Sequence, residues 1–195
     1  AVPSYVAEGG LKTFADIARF KEQLGGKIYG IEPGSGANTT IKTMIDTDHF
    51  GLKGFKLIES GEAGMLAAVQ RAINRKEFVV FVGWTPHPMN INMKIAYLTG
   101  SEDVYGPNEG AATVSTVTAP DYAERCPNVN RLLENLTFTA ADESRMMQPL
   151  LDHKDAFESA RQWLKDHPQD QARWLEGVTT FDGKPAAQNL QLTSK

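Results

Sequence analysis

The chain reads as an α/β fold whose first part carries a mostly parallel sheet and whose remainder is rich in helices. Three observations predict this. Two strand-helix units, over 27–45 and 55–73, lead into a third apolar run at Phe78-Val79-Val80-Phe81-Val82, the order that builds a parallel sheet with right-handed crossovers. That run shows no polar alternation, as expected of a strand covered on both faces. Residues 127 to 178 then hold four short helical patterns with few strands to pack on.

Taken in order, Val2-Pro3-Ser4-Tyr5-Val6 is expected to be extended, because proline disfavours helix at the residue before it and the flanking side chains are β-branched or aromatic. Gly9 and Gly10 close it. Thr13 to Asp16 has the form of a capping box, and Phe14, Ile17, Ala18 and Leu24 recur at helical spacing until Gly25-Gly26. Lys27 to Ile31 is the next strand. Glu32-Pro33-Gly34-Ser35-Gly36-Ala37-Asn38 leads from it into a helix carrying Ile41, Met44 and Ile45. Phe55 to Ile58 is a short strand, and Ser60 stands as cap of a helix whose inner face is Met65, Leu66, Val69 and Ile73.

Beyond the third apolar run, Met93 to Leu98 and Ala112 to Val117 are expected to be extended, with a polar, glycine-rich stretch between them. The four helices follow at 128–136, 141–153, 155–166 and 168–178, and their apolar residues, among them Met147, Leu150, Phe157 and Leu164, need a surface to cover them. Phe181 to Lys195 is polar and aperiodic, so a poorly ordered tail is expected there.

The totals bound the function only loosely. A chain of 195 residues fits one large domain or two small lobes, and either can bury a sizeable core. A net charge of -4, with no basic run, argues against nucleic acid or an anionic membrane as the main partner. No apolar run is long enough to span a membrane, and Ala1-Val2-Pro3 lacks the pattern of an export signal, as would a chain from which such a signal had been removed. A single cysteine, Cys126, excludes an intrachain disulfide and a multi-cysteine zinc site.

Chemistry concentrates where strands end. Gly34-Ser35-Gly36-Ala37-Asn38 opens a helix without the lysine of a P-loop or the third glycine of a dinucleotide fingerprint. It is either a tight turn with Asn38 as helix cap or a loop whose N–H groups and amide contact a small carboxylate or hydroxyl. Trp84 ends the third apolar run, and Thr85-Pro86-His87-Pro88 stiffens the chain after it. It is either a packing residue or an aromatic wall for a cation, worth roughly 0.5 to 2 kcal/mol per ring. Tyr5 offers the same two readings. Trp163 and Trp174 fall at core spacing on helices and read as packing. His87 is a lone loop histidine, and His49, His153 and His167 are not spaced as its co-ligands, so no metal set is predicted. No nucleophile elbow or carboxylate pair is visible, and the chain is expected to be no enzyme and to need no cofactor.

At Phe81-Val82-Gly83-Trp84-Thr85-Pro86-His87 the chain resembles the periplasmic substrate-binding proteins of ABC transporters for choline, glycine betaine and related quaternary amines. Val2 to Val6, Gly34 to Asn38 and the helical region around Trp163 and Trp174 carry supporting likeness, and the resemblance covers most of residues 1 to 180. It implies a type II periplasmic-binding fold closing on its ligand like a hinged trap. On that basis residues 1–92 form one α/β ligand-binding lobe, 93–180 the crossover strands and helical part of the second, and 181–195 a tail. The resemblance also implies that Trp84 is a wall of an aromatic box for the ammonium head, with Tyr5 a second wall. Asn38 and Gly36 would meet the hydroxyl or carboxylate end, and His87 would face a carboxylate in betaine-type ligands. The implied partners are a small quaternary ammonium ligand and a transporter permease in a periplasmic setting. The look is that of the choline branch.

The family ordinarily has a long amino-terminal section that this chain is expected to lack, and with it further box aromatics and an acidic group. Alone, the chain is then expected to bind choline weakly or not at all, and either a homodimer or a complementary lobe to cover its bare helices. The alternative is the ligand-sensing domain of a regulator, which can share this architecture. It would need a DNA-binding helix-turn-helix attached, and none is present in the sequence. An α/β enzyme is the third class, disfavoured by the missing nucleophile and cofactor fingerprint.

Overall fold

A computed structural model describes residues 1–188. The chain forms two compact units, one of residues 1–85 and 89–112, the other of residues 86–88 and those from 113 onward. Residues 93–112 thus pack with the first unit and Pro86–Pro88 with the second, which differs from the expected division at 92 and 93.

In the first unit, β1 (Val2–Pro3) runs directly into helix α1 (Ser4–Glu8). The expected extended segment over 2–6 is therefore only two residues long. Pro3 remains extended at φ -58° and ψ 145°, and proline suits the position just before a helix turn, where its missing N–H costs no bond. Thr13 opens a 3₁₀ helix over Phe14–Phe20 with the predicted capping box, closed by Asp16. β2 (Lys27–Tyr29) leads through the glycine loop to α2 (Gly36–Asp46), and β3 (Lys56–Ile58) leads to α3 (Gly61–Arg75). The strands β2 and β3 pair in parallel, Ile28 opposite Leu57 and Tyr29 opposite Ile58.

The run 78–82 lies along the other side of β2. It forms a single parallel bridge, Tyr29 to Phe81, with Tyr29 N donating to Val80 O at 3.0 Å and Val82 N to Tyr29 O at 2.8 Å. On its far side Phe81 exchanges both backbone hydrogen bonds with Ala1, at 2.8 and 3.0 Å. The run is thus flanked by backbone on both sides, as its composition predicts, although its regular pairing is one residue long. Helix α4 (Met89–Asn92) precedes β4 (Ile95–Ala96), which pairs antiparallel with β1. The parallel element is therefore smaller than expected, and the strand at 93–98 closes a separate antiparallel pair. Two turns, α5 (Glu102–Tyr105) and α6 (Pro107–Gly110), end the unit.

Two apolar clusters fill this unit. One gathers Val2, Val6, Leu11, Ile17, Ile28 and Leu52. The other places the inner face of α3, Met65, Val69 and Ala72, against Val79, Phe81 and Met89, with Tyr29, Ile31 and Trp84 packed at its edge. The predicted spacing on α3 is what makes this possible, since residues four apart share one face.

Residues 111–119 have no regular structure, and Val114 and Val117 are exposed, which corrects the expected strand at 112–117. A strand needs a neighbour for its backbone groups, and none lies alongside among the described residues. In the second unit a short helix α7 (Tyr122–Arg125) precedes the four predicted helices, α8 (Pro127–Asn135), α9 (Ala140–Leu151), α10 (Ala156–Asp166) and α11 (Pro168–Trp174). Trp163 stacks on His167 at 4.1 Å and on Trp174 at 5.5 Å, and the Trp174 indole donates to Thr137 O, so both tryptophans pack as expected. Phe157 is 81% exposed and Leu150 47%. The expected tail is ordered in part: Thr179 bridges Pro185 and Ala186–Gln188 makes a 3₁₀ turn, while 189–195 lie outside the described residues.

Candidate functional site

The carboxyl ends of the parallel strands carry the glycine loop and Trp84. Because Tyr29 is opposite both Ile58 and Phe81, the chain leaves β2, β3 and the 78–82 run at the same edge of the sheet. That edge is where α/β sheets place ligands.

Asn38 is 2% exposed and its amide is fully engaged. Its Oδ1 accepts from Ile31 N at 3.0 Å, and its Nδ2 is shared among Ile31 O, Glu32 O and Glu59 Oε1 at 2.9 to 3.0 Å. The amide pairs with Ile31 as the backbone of a neighbouring strand would. Ser35, not Asn38, caps α2, its hydroxyl accepting from Asn38 N at 3.3 Å, so the capping expected of Asn38 falls three residues earlier. Gly30 makes room for this arrangement: a Cβ there would lie 2.9 Å from Leu57 Cδ1 and closer still to Asn38 Oδ1. Gly36 is the first residue of α2, and a Cβ on it would meet open space. Glu32 accepts from Glu62 N at 2.9 Å, and that hydrogen bond holds its carboxyl below the usual range.

Trp84 is half-buried and packs at the edge of the cluster formed by Met65, Phe81 and Met89. The loop is held in place from below. Asn90 Nδ2 donates to Trp84 O at 2.9 Å, and Tyr97 donates to Asn90 Oδ1 at 2.8 Å. Gly83 is required by close approach, since a Cβ would lie 2.8 Å from the Ala1 side chain and 3.4 Å from the Tyr97 ring.

Tyr5 sits on α1 and packs with the other cluster. Its hydroxyl donates to Glu77 O at 2.7 Å, and the ammonium of Lys76 lies 4.9 Å from its ring centroid. The cation on this ring is the chain's own. Tyr5 lines a cavity of about 320 Å³ together with Ile73, Lys76, Met93 and Lys94, and Trp84 is not among its walls. His87 belongs to the second unit, is 1% exposed, and its N–H donates to Ser144 Oγ at 3.0 Å.

The structure thus brings Asn38 and Trp84 to one sheet edge and leaves Tyr5 in different surroundings. Sequence reasoning missed Glu59, Asn90 and Lys76. Glu59 had a faint signal, as the residue next to the end of a parallel strand. Asn90 stands six residues from Trp84 and seven from Tyr97, but no pattern in the sequence shows that its amide bonds them, and Lys76 had no signal because Tyr5 is distant in sequence. Among the described residues no group of three or more His, Cys, Asp or Glu could hold a metal ion, and no helix is long and apolar enough to cross a membrane.

An α/β chain with an aromatic side chain and a glycine loop at one sheet edge has the outline of a small-ligand binding protein, and its solved neighbours are of that class. An ABC-transporter choline binding protein in complex with choline is 48% identical, with a TM-score of 0.71 over 96% of this chain and 65% of that one. Lactococcal OpuAC complexed with glycine betaine is 25% identical, with a TM-score of 0.63 over 89% and 64% of the two chains. The glycine betaine/carnitine transport binding protein GbuC of Listeria monocytogenes serotype 1/2a (strain 10403S) is 32% identical over 162 residues, 83% of this chain and 53% of that protein. The family model for the substrate binding domain of ABC-type glycine betaine transport systems, OpuAC, matches residues 1–166, and the chain belongs to that family. It spans only about half to two thirds of the length of these relatives.

Proposed function

We infer that the chain is part of the substrate-binding component of an ABC importer and contributes to capturing choline or a related quaternary ammonium compound. The carrying observation is Trp84, held by Asn90 at a sheet edge in a chain 48% identical to a choline binding protein. A quaternary ammonium has no N–H to donate, so π-faces and van der Waals contact must hold it. Trp84 supplies one such face. The permease, a periplasmic setting and a type II two-lobed architecture belong to the same reading. Family membership supports transport over the regulator's sensing domain.

The polar end of the ligand is assigned differently from the sequence reading. Asn38 spends its amide on Ile31, Glu32 and Glu59, so it supports the site from behind. Gly36, open at the start of α2, leaves its backbone approachable and remains the candidate contact. Tyr5, with Lys76 on its ring, is the weaker wall.

The test is a titration with choline, glycine betaine and the uncharged choline isostere 3,3-dimethylbutanol, followed on the Trp84 indole by NMR. Weak saturable binding of the two amines, absent for the neutral isostere and lost in Trp84→Ala, is expected. Equal response to the isostere would reduce Trp84 to an apolar contact, and no response to any amine would overturn the reading. With one wall of a box, affinity stays low, and sub-micromolar binding in isothermal titration of the monomer would contradict a part-site. The exposed Phe157 and Leu150 faces favour association with a second copy or a complementary lobe, and a strictly monomeric mass by light scattering at high concentration would count against self-association.

A further inference from the structure

We propose that Asn38 is a positioning residue for ligand capture, acting through the loop it clasps without touching the ligand. The proposal rests on the reading that Trp84 holds the ammonium head. Asn38 binds both the N–H and the carbonyl of Ile31, and the Ile31 side chain packs on the same cluster as Trp84. The amide also bonds Glu32 O and reaches across to Glu59 beyond the end of β3, so one side chain ties the ends of two strands and the start of α2. Neither the glycine loop nor Ile31 can shift without breaking these bonds. Removing the amide would leave the half-buried Ile31 N–H without its present partner, whereas the exposed Glu59 carboxylate can turn to water.

The geometry separates positioning from contact. Choline ends in a hydroxyl and glycine betaine in a carboxylate, so a residue that touched that end would change their affinity ratio when altered. A residue that sets the loop changes both affinities alike. The chain has three tryptophans, of which Trp163 and Trp174 lie in the other unit, and the Trp84 indole signal is identified by its loss in Trp84→Phe.

Asn38→Ala is expected to move the Trp84 signal, to leave those of Trp163 and Trp174 in place, and to weaken both ligands by a common factor of about tenfold. Glu59→Ala, which keeps both Ile31 bonds, is expected to do the same more weakly and serves if Asn38→Ala fails to fold. In Asn38→Asp the donors to Glu59 are lost and two carboxylates meet. Adding Glu59→Gln supplies a donor in return and should recover part of the affinity. A changed choline-to-betaine ratio would show direct contact and overturn the proposal. So would a folded Asn38→Ala chain with the Trp84 signal and both affinities unmoved, which would leave the functional reading intact. If neither amine binds the unaltered chain, both fall.

Discussion

At the scale of single residues, two glycines show how tightly the sheet edge is built. Gly30 faces the Asn38 amide and Gly83 faces the Ala1 side chain, each too close to admit a Cβ without a shift. Gly30→Ala is therefore expected to destabilise the first unit by about 1–3 kcal/mol, since neither Leu57 nor the amide can retreat without losing its own contacts. The midpoint of urea denaturation measures this. A midpoint equal to that of the unaltered chain would mean that the Asn38 clasp is looser than its hydrogen bonds indicate. Trp84 and Asn38 were both visible in the sequence as residues at strand ends, but the sequence assigned them the same kind of role. The difference is burial. Trp84 is only half-buried, whereas the Asn38 amide is buried with every polar atom bonded.

At the scale of elements, helix caps explain why the predicted segments start where they do. Thr139 and Asp142 close a capping box at the start of α9, as Thr13 and Asp16 do for the 3₁₀ helix. The hydrogen bond from the Thr139 hydroxyl, and after it Arg145, hold the Asp142 carboxyl below its ordinary range. Such a carboxylate adds stability that is fully present above its unfolded value, near pH 4, and is lost as pH falls through its lowered folded value. Thr139→Ala should cost about 1 kcal/mol. Asp142→Asn should make the melting temperature of α9, followed by circular dichroism, less sensitive to acid below about pH 4. An unchanged acid slope would show that the cap bonds do not distinguish the charged carboxyl. Caps and periodicity are local, so the four helices of 127–178 were legible to within a few residues. Strands were less so. The run at 78–82, wholly apolar, finds partners in Tyr29 and Ala1, whereas the segment at 112–117, half of it Thr and Ser, pairs with no strand among the described residues.

At the scale of the whole molecule, the division falls in a segment that the sequence presents as a strand. Among the described residues, the amides of 112–118 donate no backbone hydrogen bond, and Val114 and Val117 are 95% and 90% exposed. Limited digestion with thermolysin, which cuts before apolar residues, is expected to cleave first at Val114 or Val117 and to leave two fragments that resist further cutting. First cleavage inside α3 or α9 would contradict the division. The second unit keeps Phe157, Leu150 and Leu151 at its surface, in a chain that spans about half to two thirds of its relatives.

What the sequence determined by itself was local or chemical: the β-α order, the helices with their caps and inner faces, and the Gly-Trp-Thr-Pro-His stretch that carries the family likeness. These depend on residues a few positions apart, whose periodicity and steric preferences act within a turn or a strand. Only the tertiary structure decided which extended segments find a partner, that the Tyr5 ring already carries Lys76, and that Asn38 faces inward. Those outcomes draw in groups 20 to 80 residues distant, as the spacings of Asn38 to Glu59, Tyr5 to Glu77 and Ala1 to Phe81 show, even where, as for Asn38, nearer partners share the work. A side chain's hydrogen-bonding capacity is spent on whatever the fold brings within 3 Å of it, and no pattern along the chain records that.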